Sequence, residues 1–385
     1  MKKDFFAYLR PNENELNDVW QNSIFTFDAN ILLNFYRYRA ETTTTFFSLL
    51  DKVKKRSWLT NQAVQEYFNN RLNVISEQEK AYSDLKDSIS KNIEDPLNSQ
   101  RKHPYVGNEL LKEFKTISNK LKSELDNRSQ EYSKRLNKDD ILEKIVDVFD
   151  KKVGDCFDEN KTNQLYLEGD KRYNLDIPPG FKDKNKGGTR QYGDLILWFQ
   201  IIELSQKEKK DVIFITDDEK EDWLYVHKGR IVGMLPALQI EFNKLTNQKA
   251  YIFNAQRFIE EIGKLSQTTI TADTIDEIKT LREENKLVLE QHWGSYENNE
   301  NTTFSEDEIN EILIKGVSYL ADDDGWAELA QLGYFLVRNS VLNYRNYGFS
   351  SLRRFIESRQ IFEIKFEQIS PNARNVDTVY VRLKR

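Results

Sequence analysis

Cysteine, histidine and long apolar runs are what this chain has least of. Cys156 is its single cysteine, which excludes an internal disulfide framework and any multi-cysteine zinc site. Of the three histidines, His103, His227 and His292, no two stand at helical spacing, so a histidine-based metal site or triad is not expected. No apolar run approaches the roughly 20 residues of a membrane span. Met1-Lys2-Lys3-Asp4-Phe5-Phe6 lacks the longer apolar core of a signal peptide. A cytoplasmic location and no membrane partner are the expectation. No Gly-x-x-x-x-Gly-Lys-Ser/Thr, Gly-x-Gly-x-x-Gly or His-Glu-x-x-His motif occurs, and Gly187-Gly188 reads as an isolated turn. What is plentiful is charge, 31%, beside 38% hydrophobic and 12% aromatic residues, the balance of a soluble, helix-rich chain with dense cores. Its 385 residues allow two or three domains. The net charge of -6 argues only weakly against a nucleic-acid partner, because local patches outweigh the sum.

Against that background one stretch organises the rest. Ser23-Ile24-Phe25-Thr26-Phe27 reads as a buried strand, and Asp28, Ala29 and Asn30 follow it before the apolar run Ile31–Tyr36. A carboxylate at the C-terminal end of a buried parallel strand sits where open α/β sheets hold ligands. Three further stretches deliver carboxylates in the same way: Thr60–Glu66 at a helix start, Tyr192-Gly193-Asp194 opening an apolar helix, and Val212–Thr216 running into Asp217 and Asp218. Around them the pattern predicts a short helix from Asn12, a helix from about Asn30 to Val53, a strand at Arg56–Thr60, and a helix at Pro236–Leu245. A strand at Ala250–Phe253 and a helix at Gln256–Leu265 complete the alternation of a parallel sheet.

From about Ser76 to Phe149 the sequence is polar, charged and helical in period, with breaks at Asp95-Pro96 and His103-Pro104. It reads as a helical insertion, either a solvated hairpin or a substrate-gripping arm. Ile177–Arg190 is a loop with more Lys and Arg than Asp. After Leu265 the composition shifts, and a second module begins near Phe304 with three short helices and a hairpin, the pattern of a winged helix. From Trp326 on it holds ten Lys and Arg against five Asp and Glu. That balance, with Tyr344, Tyr347 and Phe349, suits RNA, whose unpaired bases stack on aromatics. The bland alternative makes most of these aromatics core.

Each acid also has a bland reading: Asp28 and Asp194 as helix caps, Glu66 as a surface glutamate, Asp217 and Asp218 as an Asx turn. Gathered at one edge, however, several carboxylates repel one another unless a cation neutralises them. Mg²⁺ or Mn²⁺ takes oxygen ligands and keeps waters for a phosphate substrate. Asn30 could orient such a water, and Thr216 could hold a carboxylate by its hydroxyl.

Phe27-Asp28-Ala29-Asn30, Glu66, Gly193-Asp194 and Ile215-Thr216-Asp217-Asp218 resemble the acidic motifs of PIN-domain nucleases over roughly residues 20 to 265. The likeness is to a bacterial PIN-like group with a large helical insertion. Ile177–Asp183, Tyr192–Trp198 and Lys220-Glu221-Asp222-Trp223 are similar to that group's own signatures. The resemblance implies metal-ligand and catalytic roles for Asp28, Glu66 and Asp194. For the fourth acid it points to Asp218, with Asp217 adjacent, and it leaves Asp183 and Asp222 as outer members. Asp324–Gly333 and Tyr347–Ile356 resemble LOTUS (OST-HTH) domains over about 304 to 385.

The implied fold class is α/β, a PIN-like parallel sheet flanked by helices with a long helical insertion, plus a small C-terminal winged-helix (α+β) domain. The expected division is 1–265 (insertion about 76–165), a linker at 266–303, and 304–385. The implied activity is a Mg²⁺- or Mn²⁺-dependent endoribonuclease, with a toxin or defence role following from the family alone. A structure-specific DNA nuclease and a catalytically silent adaptor are the alternatives, and a protein partner or a homo-oligomer is left open. The candidate nucleic-acid contacts are Lys182, Lys184, Lys186 and Arg190 in the loop and Arg345, Arg353, Arg354 and Arg359 in the C-terminal module.

Overall fold

A computed structural model describes residues 1, 5–98, 106–184, 188–298, 306–322, 324–338, 344–349, 351–368 and 377–384. They form two compact units, Met1–Glu283 and Glu284–Arg385.

In the first unit, α1 (Glu13–Asn22) opens with a capping box in which Asn12 and Glu15 satisfy each other's backbone N–H groups. It leads into β1 (Ile24–Phe27), α2 (Ala29–Asn34), α3 (Ala40–Val53) and β2 (Ser57–Trp58). The single helix expected from Asn30 to Val53 is thus interrupted at residues 35–39. Phe35, Tyr36 and Tyr38 are all buried. One continuous helix would spread these neighbouring side chains around its circumference, so the chain turns to bury them together.

The insertion is α4 (Asn61–Ile89), α5 (Asp95–Asn98), α6 (Asn108–Arg135), α7 (Asp140–Phe149) and α8 (Glu159–Asn174). Asp95-Pro96 does not break it. A π turn over Ser90–Glu94 places Pro96 second in α5, where a missing N–H costs nothing. The break expected at His103-Pro104 lies outside the described residues. Lys86 pairs with Asp126, Lys122 with Glu94, and the rings of Tyr82 and Tyr132 meet at 5.6 Å, so α4 and α6 run antiparallel. At the base of this arm the Tyr36 hydroxyl donates to Asp139 (2.6 Å) and meets the Tyr67 hydroxyl (2.7 Å), while Arg71 pairs with Asp139. Tyr132 donates to the Tyr36 carbonyl at 2.7 Å. These buried bonds tie the arm to the segment just beyond α2.

Then follow α9 (Gly193–Glu208), β3 (Val212–Ile215), β4 (Leu224–His227), β5 (Arg230–Met234), α10 (Pro236–Thr246), β6 (Ala250–Phe253), α11 (Ala255–Leu265) and α12 (Ala272–Asn298). The sheet is parallel throughout, in the order β2-β1-β3-β6. Both faces are covered, so β1 and β3 are buried at every residue. Side chains alternate with the pleat: Phe25, Phe27, Ile213 and Ile215 join one apolar cluster, and Ile24, Val212 and Phe214 join the other. The expected linker is also reassigned in part. Ile270, Ile275 and Leu281 pack on the first cluster, Ile278 lies within it, and Glu277 accepts from the Thr42 hydroxyl at 2.6 Å, which carries the unit to Glu283.

The second unit holds α13 (Glu306–Leu320), β7 (Ala327–Glu328), α14 (Leu329–Arg338), α15 (Leu352–Glu357), β8 (Phe362–Gln368) and β9 (Asp377–Leu383). Its antiparallel sheet, ordered β7-β9-β8, packs with the helices around Leu313, Leu332, Phe355 and Val381. Tyr344, Tyr347 and Phe349 lie partly buried against this core.

Candidate functional site

Strands β1 and β3 end in register, Phe27 beside Ile215, so the next residue of each leaves the sheet at the same edge. The Asp28 N–H closes the ladder on the Ile215 carbonyl at 2.9 Å. Its carboxylate caps α2 through the Ala29 N–H (2.7 Å) and accepts from Asn30 Nδ2 (2.7 Å) and the Thr216 hydroxyl (2.7 Å). Asp28 is therefore a helix cap and a member of the edge at once. Asn30 is tied on both sides: it also donates to Thr216 at 3.1 Å and accepts from the Asp217 N–H at 3.3 Å.

Thr60 caps α4 through the Ala63 N–H, which sets Glu66 on the second turn, facing the edge. Gln62 Nε2 donates to Glu66 Oε1 at 2.6 Å. Gly193, the first residue of α9, lies against it. A Cβ there would stand 3.0 Å from Glu66 Oε1 and 3.4 Å from Gln62 Nε2, so only glycine leaves this space open. Asp194 follows in the same turn.

The two acids after β3 part company. Asp217 accepts from the Ala255 N–H (3.0 Å) and Asn34 Nδ2 (3.2 Å), tying α11 and α2 together. Asp218 turns into the edge, its N–H held by Thr216 Oγ1 at 3.0 Å. Of the adjacent pair, then, Asp218 joins the cluster and Asp217 supports the helices behind it.

Lys220 and Asp183 complete the arrangement. Lys220 Nζ lies 3.1 Å from Asp218, 3.2 Å from Asp194 and 3.2 Å from Asp183. Asp183 is 2% exposed and arrives on the Ile177–Lys184 loop. That loop is held by fully buried Asp222, which accepts from the Gly180 N–H (3.0 Å) and the Lys182 N–H (3.2 Å). Gly180 needs its glycine: its φ is +91°, and a Cβ would meet the Tyr173 hydroxyl at 2.5 Å.

The electrostatics follow from this crowding. Burial first, then the charge of Glu66, with Asp218 and Asp194 adding, pushes the Asp28 carboxyl up to about 7, against the Thr216 hydrogen bond. Burial also raises Asp218, with Lys220 opposing. Asp217 is pushed up to about 6 by burial, and Asp222 to about 6 by burial and then Asp194. Burial works against the Lys220 ammonium, but Asp194, Asp218 and Asp183 outweigh it and hold the group charged. Among the described residues no three ligand side chains are already drawn round one point. The donor set still fits a hard divalent ion: all carboxylate oxygens, half-buried, with space kept beside Glu66 by Gly193.

The expected nucleic-acid contacts are dispersed. Lys182 pairs with Glu221 (3.1 Å) and Lys184 with Asp176 (3.5 Å), both on the exposed side of the loop. Arg190 is exposed, and Lys186 lies outside the described residues. In the C-terminal unit Arg353 pairs with Glu357 (2.7 Å) and covers the Phe366 ring, and Arg354 is exposed. Arg345 lies in a short 3-10 turn, with its side chain outside the description. Arg359 is no surface contact: it is 7% exposed, 3.8 Å above the Phe355 ring, and donates to the Phe355 carbonyl.

A parallel α/β sheet with an acidic edge and a long helical insertion, followed by a small winged-helix unit, defines the class of protein. The family described as PIN like domain matches residues 24–240, and the chain belongs to it. The OST-HTH/LOTUS domain matches residues 302–372. Neither a curated protein nor a solved structure matches the chain. PIN-like domains are usually nucleases and generally use divalent metals, and both domains point to nucleic acid as the partner. No described helix is long and apolar enough to cross a membrane.

Proposed function

We propose that this chain is a divalent-metal-dependent endoribonuclease whose hydrolytic site is the acidic edge of the first unit. The observation that supports it best is the meeting of Asp28, Glu66, Asp194 and Asp218 from four separate elements at one strand edge. Charges this close raise one another's proton affinity, and a bound divalent cation would relieve that repulsion. Asp28, Glu66 and Asp194 would hold Mg²⁺ or Mn²⁺. Bound there, the ion supplies an activated water and neutralises charge on the phosphodiester.

The chain's own residues do the rest. Thr216 and Asn30 fix the Asp28 carboxylate by 2.7 Å hydrogen bonds. Gln62 orients Glu66, and Gly193 keeps the approach to Glu66 clear. Lys220 balances Asp218 and Asp194. Asp217 serves in this reading as a support for the ligand-bearing loop. RNA is favoured over DNA because the C-terminal domain type, with ten Lys and Arg against five Asp and Glu from Trp326 on, suits unpaired bases and a phosphate backbone. A cytoplasmic toxin or defence effector is the physiological use this reading favours, on family resemblance alone.

The test is incubation of the full chain with labelled single-stranded RNA, duplex RNA and DNA, each with Mn²⁺ and with EDTA. Metal-dependent cleavage of RNA is the expected result. Cleavage of DNA alone would make the chain a DNA nuclease, and no cleavage of any substrate would leave an adaptor.

A further inference from the structure

Among the described residues Lys220 is the cation in this site, and its placement bears on how many metal ions the site accepts. Its ammonium has three N–H donors and three carboxylates around it, Asp218, Asp194 and Asp183, at 3.1, 3.2 and 3.2 Å. The residue is rooted as well as paired. Its backbone N–H donates to Asp218 Oδ1 at 3.1 Å, and its carbonyl accepts from Trp223 and Leu224, both at 3.1 Å. Its side chain is 17% exposed and that of Asp183 only 3%. Withdrawing the ammonium would strand a buried carboxylate, which destabilises far more than the loss of a surface pair. Across the site the situation is opposite: Asp28 accepts from three neutral donors, the Ala29 N–H, Asn30 and Thr216. Beside Glu66, Gly193 keeps room that a Cβ would fill.

We propose that Lys220 is a resident cation standing in for one of two divalent ions, so that the chain binds a single divalent ion, on the Asp28–Glu66 side. This rests on the reading of the edge as a metal-dependent nuclease site and says how that site is charged. Two-metal phosphodiesterases place one positive centre on each side of the scissile phosphate. Here the second centre is a fixed ammonium, acting by its charge through Asp194 and Asp218, which makes Lys220 a positioning residue. It also gives the two signature segments one purpose: Asp222 holds the Ile177–Lys184 loop so that Asp183 can anchor Lys220.

Calorimetric titration of the full chain with Mn²⁺, without substrate, tests this directly. The wild type is expected to bind one ion per chain. Lys220→Gln, which removes the charge at similar length, is expected to bind two, and Lys220→Arg one. Two ions on the wild type would overturn the proposal while leaving the nuclease reading in place. No ion at all would overturn both. A single ion on a folded Lys220→Gln would also overturn it. If Lys220→Gln does not fold, the double variant Lys220→Gln/Asp183→Asn removes both buried charges. Two ions on that variant support the proposal, and one ion overturns it.

Discussion

Asp28→Asn in the metal-free protein separates a carboxylate in a charged cluster from a simple helix cap. The folded-state carboxyl titrates at about 7 against an ordinary 3.8. At 1.36 kcal/mol per pH unit that gap is worth about 4 kcal/mol. Asp28 is only half-buried, so solvent screening trims the figure to about 2–4 kcal/mol. The sign is fixed by which state releases its proton first. Below pH 3.8 both states are protonated and the full stability is present. Between 3.8 and about 7 the unfolded chain ionises while the folded one does not, so stability falls as pH rises, and the loss is complete above 7.

Asparagine does not titrate and avoids that loss. It has its own cost, because its amide N–H₂ would face two donors, Asn30 Nδ2 and the Thr216 hydroxyl. An unsatisfied pairing of this kind costs about 1–3 kcal/mol at every pH. The variant should therefore melt below the wild type at pH 4.5 and at or above it at pH 8. The crossing amounts to several degrees, at roughly 2–4 °C per kcal/mol for a domain of this size. Thermal melts of both proteins in chelator across that range check it. If Asp28 were only a cap, Asn would serve about as well. The two curves would then run parallel, and the electrostatic reasoning would fail.

Saturating Mn²⁺ should raise the wild-type melting temperature in differential scanning calorimetry, by about 2.7 kcal/mol of stability at a hundred times Kd. Asp28→Asn and Glu66→Gln should each lose most of that gain. Gly193→Ala should fold, since its Cβ meets only the ends of Glu66 and Gln62, but bind Mn²⁺ more weakly in the same titration. Equal binding would mean that the space beside Glu66 is not used. A chain ending at Glu283, the limit of the first compact unit, should still cleave RNA while its binding responds less steeply to salt, by about 0.7 in slope per lost phosphate contact. Filter binding across a salt series reads this, and an unchanged slope would point to a protein-binding role for the C-terminal unit.

The acids were legible because each stands at an element boundary that sequence marks well: Asp28 after a four-residue apolar strand, Glu66 after the Thr60 cap, Asp218 after Val212–Ile215. What could not be read was direction. Asp217 and Asp218 are adjacent and chemically alike, and only the paths of α2 and α11 decide that Asp217 faces Asn34 and Ala255. Lys220 and Asp183 were visible as parts of two signatures, but the ion pair between them spans 37 residues and depends on a loop closure that no local pattern encodes. The hairpin of β4 and β5 has a local signal of its own: Lys228-Gly229 stands between two alternating runs, and both residues adopt positive φ, 49° and 73°. β7 carries no local signal, because its two residues owe their strand geometry to pairing with Val381 and Tyr380.

Cleavage of single-stranded RNA in Mn²⁺ by the wild type, Asp28→Asn and Asp194→Asn, with folding checked by circular dichroism, puts the acidic edge itself on trial. The wild type should cleave, and both variants should fold but lose activity by orders of magnitude, because each removes a charge that holds the ion with almost no change in volume. Full cleavage by a folded Asp28→Asn, or equal cleavage by the wild type in EDTA, would contradict the assignment of this edge as a metal-dependent nuclease site.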